Sequence, residues 1–188
     1  MYGLVNRALQ QLVCSSQGES TWHEIRRKAG VEDEVFMRMD AYPDDVTYRL
    51  VGAASEVLAT PVPDLLREFG RYWTRYTMVE GYGAMLSDLG SSFQEALAAL
   101  DAMHARVSLL YPALKPPVFR VSQREENSLR LHYHSNRPAL GPMVHGLIEG
   151  LAERFGIVIA VDHVYTKDDA HDHDCFEIRI LGPIADAE

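Results

Sequence analysis

The chain of 188 residues is 47% hydrophobic and 24% charged, long enough to bury the core of one compact unit. No apolar run approaches the ~20 residues of a membrane-spanning helix, and "MYGLVNRALQ" lacks the basic, apolar and cleavage regions of a secretory signal, so a cytoplasmic protein without a membrane segment is expected. A net charge of -9 without any lysine or arginine cluster argues against nucleic acid as a partner, and Cys14 and Cys175, far apart and in no metal-ligand doublet, indicate neither a disulfide framework nor a cysteine-rich zinc site.

Leu4, Val5, Ala8, Leu9, Leu12 and Val13 recur at helical spacing, so the chain opens on a helix that belongs to the fold. Thr21 and Glu24 make a capping-box pattern ahead of "WHEIRRKAG", with Gly30 as its stop. Pro43 and Asp44 open a long helical run to Leu58, and Pro63 with Asp64 opens another carrying Leu65, Leu66, Phe69, Tyr72 and Trp73. A turn is expected near Gly81 and Gly83. Ser92 and Glu95 then cap "FQEALAALDAMHARVSLLY", and the prolines of "YPALKPP" end it. Beyond Pro117 the period changes from 3.6 to 2. Segments 118–123, 129–135, 157–164 and 175–181 read as strands, interrupted by the helix "PMVHGLIEGLAERFG", and "TKDDAHDHD" reads as a hairpin loop. Helices followed by a mostly antiparallel sheet make an α+β fold.

Two features carry chemistry. His104 lies in the apolar stripe of Leu97, Leu100 and Val107, where it is either a core histidine bonded to a carbonyl or an axial haem ligand. In "LRLHYHSNRPAL", residues two apart share a face of an extended chain, so Tyr133, Ser135 and Arg137 bring a phenol, a hydroxyl and a guanidinium together. That set fits an anion: the carboxylate of a surface salt bridge, or two haem propionates at once. A third group, His163, His171, His173 and Cys175, reads as a solvated loop or a partial zinc or copper chelate. No dinucleotide or phosphate-loop glycine pattern is present, and "GYG" near residue 82 is a turn.

With those residues in hand, "YHSNR" resembles the Tyr-x-Ser-x-Arg motif of the haem nitric oxide/oxygen binding (H-NOX) family, whose three side chains hold the haem propionates. "MHARVSLLYPALKPPVF" is similar too, with His104 as the proximal haem ligand and Pro117 as the proline that presses on the porphyrin. "MYGLVNRALQ", "DDVTYRLVGAASEVL" and "GYGAML" extend the resemblance over nearly the entire chain, closest to the cyanobacterial-type, NO-binding members. It implies one haem b domain over 1–188, with 1–63 as the N-terminal helical part and 64–188 as the haem-ligand helix and sheet.

On the distal side, the resemblance places Met143 where oxygen-binding members have a donating tyrosine. A thioether cannot donate a hydrogen bond. Trp73 either fills the pocket with its ring or offers its indole N–H as a donor, with the space-filling role expected, Leu4, Val5 and Leu147 line the apolar remainder, and His145 is expected on the outer side of its helix without a role. The implied protein is a sensor of NO and CO with no catalysis of its own. NO breaks the bond to His104, the porphyrin relaxes against Pro117, and the helical part rotates relative to the sheet part. The signal passes to a partner such as a histidine kinase or a cyclic-di-GMP enzyme, or to a methyl-accepting or cyclase module of a longer chain; the short tail "LGPIADAE" favours a stand-alone protein. The rivals are a haem-free interaction module, an oxygen-binding haem protein and a metal sensor built on the His171 to Cys175 loop.

Overall fold

The computed structural model describes residues 1–77, 89–110 and 114–184. The turn at Gly81 and Gly83, the "GYGAML" segment, the start of "YPALKPP" and the end of the tail lie outside the described residues. The chain divides into two compact units, Met1–Phe69 and Gly70–Glu188.

The first unit is helical: α1 (Gly3–Gln17), α2 (Glu19–Ala29), α3 (Asp44–Val57) and the start of α4 (Val62–Thr77). Leu9, Val13, Trp22, Ile25 and Leu50 are buried in it, as the helical spacing of the sequence dictates. One polar pair is buried with them: the Thr47 hydroxyl donates to Asn6 Oδ1 at 2.6 Å. Gly30 stops α2 in the left-handed conformation expected of it, and Arg49 donates to the carbonyls of Ala29 and Gly30 at that end. The capping box at Thr21 is not formed. The helix already begins at Glu19, so Thr21 lies inside its first turn and its hydroxyl donates back to the Gln17 carbonyl at 3.0 Å.

The second unit continues α4 and adds α5 (Phe93–Leu110), β1 (Val118–Ser122), β2 (Ser128–His134), α6 (Gly141–Arg154), β3 (Ile157–Tyr165) and β4 (Asp174–Pro183). All strand pairs are antiparallel, in the order β1-β2-β4-β3. The α+β class read from the change of period is therefore the observed one. Ser92 caps the helix as expected, its Oγ accepting from the Glu95 N–H at 3.3 Å, while the Glu95 carboxylate reaches one residue further back, to the Ser91 N–H at 2.8 Å. Leu97 from α5, Phe119 from β1, Leu129, Leu131 and Tyr133 from β2, Val144 and Ile148 from α6, and Phe176 and Ile178 from β4 form one buried cluster. The two helices thus cover one face of the sheet.

Glycines set the spacing between α4 and α6. A Cβ on Gly70 would run into the Met143 carbonyl and stand 2.8 Å from the Leu147 nitrogen, and one on Gly150 would meet Thr74 and stand 3.1 Å from the Arg71 carbonyl. Arg71 adds ion pairs to Glu149 and Glu153, each at 3.3 Å. Close backbone approach is what glycine permits at both positions. No helix among the described residues is long and apolar enough to cross a membrane.

Candidate functional site

His104 is carried by the stripe of α5 that faces the sheet. Its ring stacks on Phe119 at 5.6 Å between centroids, and Phe119 packs against its cross-strand partner Tyr133 at 5.3 Å. Both aromatic rings are buried. The result is a column running from a helix, through β1, to β2. Burial holds the His104 pKa down to about 4, against the weaker opposing pull of Asp101 one turn earlier. The imidazole is therefore neutral at physiological pH. Its Nδ1 is buried with no hydrogen-bond partner among the described residues, so the carbonyl-bonded core histidine considered above is not what forms at that nitrogen. A buried unpaired ring nitrogen costs on the order of 1–3 kcal/mol. Such a cost calls for an explanation, of which a bound group is one.

Tyr133 ends the alternation of β2 and is 4% exposed. The shared face predicted for Ser135 and Arg137 stops there, because the strand ends at His134 and both residues lie in the following bend. The bend keeps them close to each other: the Arg137 N–H donates to Ser135 Oγ at 3.1 Å. Arg137 Nη1 also donates to the Lys115 carbonyl at 2.8 Å, tying this bend to the segment that enters half-buried Pro117. Pro117 immediately precedes β1 and stands two residues from Phe119.

Met143 and Leu147 are half-buried on α6, and their backbones are the groups that Gly70 of α4 approaches. Trp73, one turn beyond Gly70, is half-buried with its ring 6.1 Å from buried Tyr76. Leu4 and Val5 are half-buried on α1 of the first unit. His145 is not on an outer surface: it is half-buried, edge-on to Phe176 at 6.5 Å and 3.7 Å from the Glu149 carboxylate. Phe119 and Tyr76 were missed in the sequence. A signal existed for Phe119, which stands in period two with Pro117 and opposite Tyr133, whereas Tyr76 needed the packing of α4 to be known.

The group His163, His171, His173 and Cys175 does not converge. His163 bonds Asp174 at 2.9 Å and stacks on Phe176, His171 bonds Asp168 and stacks on Tyr165, and Cys175 is buried. Among the described residues His173 alone of the four joins a cluster of possible metal ligands, and its companions are His134 and Asp172.

The His104 column suits an added planar group that takes an imidazole as ligand. It presents a neutral ring nitrogen without a protein partner, flat aromatic neighbours, and a tyrosine, serine and arginine at the strand end suited to carboxylates. The model of a family described as haem-NO-binding matches residues 2–163. Soluble guanylate cyclase gcy-31 of Caenorhabditis elegans is 29% identical over 153 residues, 81% of this chain and 22% of that protein. Guanylate cyclase soluble subunit beta-2 of Rattus norvegicus is 36% identical over 91 residues, 48% of this chain and 13% of that one. The chain thus spans about a quarter or less of the length of such curated relatives. Among solved structures, an H-NOX protein from S. oneidensis in the Fe(II)NO state superposes with a TM-score of 0.87 at 22% identity, covering 97% of this chain and 100% of that one. An oxygen-binding H-NOX domain superposes with 0.80 at 21% identity, covering 100% and 99%. At such identities the likeness is one of fold.

Proposed function

Since the chain belongs to the haem-NO-binding family, a family of haem-based gas sensors without catalysis of their own, we propose that residues 1–188 form one domain that holds haem b and reports NO. When bound, ferrous haem would supply an iron able to take both an imidazole and a diatomic gas. His104 is the protein's ligand to it. Its low proton affinity keeps a lone pair available at neutral pH, and the stack on Phe119 fixes the ring. Tyr133, Ser135 and Arg137 would receive the propionates, and the Arg137 bond to the Lys115 carbonyl holds the segment that leads into Pro117. Met143, Leu147 and Trp73 line the gas side. With a thioether in place of a donor, that side favours NO and CO over oxygen.

His104, as the residue that would hold the iron, is placed for α5 to transmit any change in that bond when gas binds. The recipient is a cytoplasmic protein acting in trans, of the histidine kinase or cyclic-di-GMP enzyme type, or a cyclase module like that of the guanylate cyclase relatives. The observation that carries this reading is the neutral, partnerless His104 Nδ1 above Phe119 and Tyr133. The test is the visible spectrum of the dithionite-reduced protein with NO, CO and air, together with His104→Gly. A Soret band that shifts with NO and CO but not with air is expected, and the variant should recover its spectrum on adding imidazole. A colourless protein that cannot be loaded with haem, or a variant spectrum identical to the unmodified one, would refute it.

A further inference from the structure

The outer face of the sheet holds a second constellation that gas sensing leaves unused. In β2, Leu129, Leu131 and Tyr133 enter the core, so the alternate residues His132 and His134 face the other way. The connection from β3 to β4 brings Asp172 and His173 to the same place. One ring nitrogen each of His134 and His173 and one carboxylate oxygen of Asp172 all lie within 4.8 Å of one another. The two rings stack at 4.2 Å.

His173 is braced from behind. Its Nε2 lies 2.8 Å from His132 Nδ1 and 2.9 Å from the Tyr165 hydroxyl, and His132 Nε2 lies 2.7 Å from Ser122 Oγ. Nδ1 of His173 is left facing Asp172 Oδ1 at 2.5 Å. This is how metal-ligating histidines are held: one nitrogen is fixed by polar partners and the other is aimed at the ligand position. The His173 side chain is 17% exposed and that of Asp172 84%, so the cluster opens to solvent at its carboxylate end. We propose that His134, Asp172 and His173 bind a divalent transition-metal ion of the zinc type, on the sheet face opposite Tyr133.

Two imidazoles and one carboxylate suit zinc, copper(II) or nickel and not calcium or magnesium, which prefer all-oxygen cages. Donors on one tetrahedral zinc stand roughly 3.3 Å apart, given Zn–N bonds of about 2.0–2.1 Å. The Asp172–His173 pair must open from 2.5 Å while the wider distances within the 4.8 Å cluster close, and exposed Asp172 supplies the adjustment. On binding, the metal takes the His173 Nδ1 lone pair, the proton shared with Asp172 leaves to solvent, and a proton taken up at Nε2 keeps the ring neutral and is donated to His132 or Tyr165. Water completes the coordination.

The test uses the tag-free, haem-loaded chain, stripped with EDTA and titrated with zinc sulfate against a chromophoric chelator, with metal content counted separately from haem iron. One zinc per chain is expected. His173→Gln and, for a change that leaves the packing alone, Asp172→Ala should each weaken it by about tenfold or more, while His171→Gln should bind as before. The Soret band should be unchanged in all three, which separates this site from the haem. The proposal is overturned by no saturable zinc binding in the unmodified chain. It is equally overturned by zinc retained at full affinity in both His173→Gln and Asp172→Ala, or by displacement with an about 100-fold excess of calcium.

Discussion

Replacing His104 by leucine should flatten the acid limb of the stability profile. In the unfolded chain a histidine titrates near 6.5, whereas in the folded protein burial holds His104 at about 4. Between those values the unfolded state binds the extra proton. The contribution of His104 is therefore fully present above its unfolded pKa and is lost as pH falls toward its folded one. The gap amounts to about 3 kcal/mol when complete, of which about 2 kcal/mol is lost between roughly pH 7 and pH 5. Urea denaturation followed by circular dichroism, on the unmodified protein and on His104→Leu, measures the difference of the two profiles. His132 and His134 are also pushed down by burial and by nearby His173, so they steepen the limb in the same sense, but they are common to both proteins and cancel. An iron on the ring competes with the same proton and acts in the same direction. Parallel profiles over this window would show that the His104 ring is solvated, and the neutral-ligand argument would fall with it.

Gly70→Ala should destabilise by about 1–2 kcal/mol, because the collision with the Met143 carbonyl outweighs the ~1 kcal/mol that alanine gains over glycine in a helix. Gly52→Ala, where nothing lies within 4 Å of the added Cβ, should instead raise the melting temperature; equal effects in thermal melts would deny the tight α4–α6 contact. Met143→Tyr alone should not produce a stable oxygen complex if Trp73 fills the gas side as proposed, and a persistent oxy spectrum from the single change would contradict that.

The order of elements and the α+β class were legible because period and punctuation agree. Leu9, Val13 and Leu50 repeat at helical spacing, Gly30 stops a helix, and "SLRLHYH" alternates as a buried strand. The capping box at Thr21 misled because Gly18 ends α1 and Glu19 immediately begins α2, leaving no room for a cap further along. Period two does not extend past His134, because Ser135, Asn136 and Pro138 are turn formers that end the strand there. His104 stood out locally by interrupting an apolar stripe. Phe119, its stacking partner, is an ordinary strand residue until β1 is paired with β2. The outer histidines were legible only by half, because local spacing links His171 and His173, whereas the fold joins His173 to a residue 39 positions earlier in the chain.

The alternation of β2 also makes the strand a check on its own assembly. A slip of one residue would push His132 and His134 into a core built for Leu131 and Tyr133, and turn the tyrosine out to water. Both faces would be spoiled by the same error, so no misregistered sheet could keep one constellation intact. A chain that shows either of them has threaded this strand correctly.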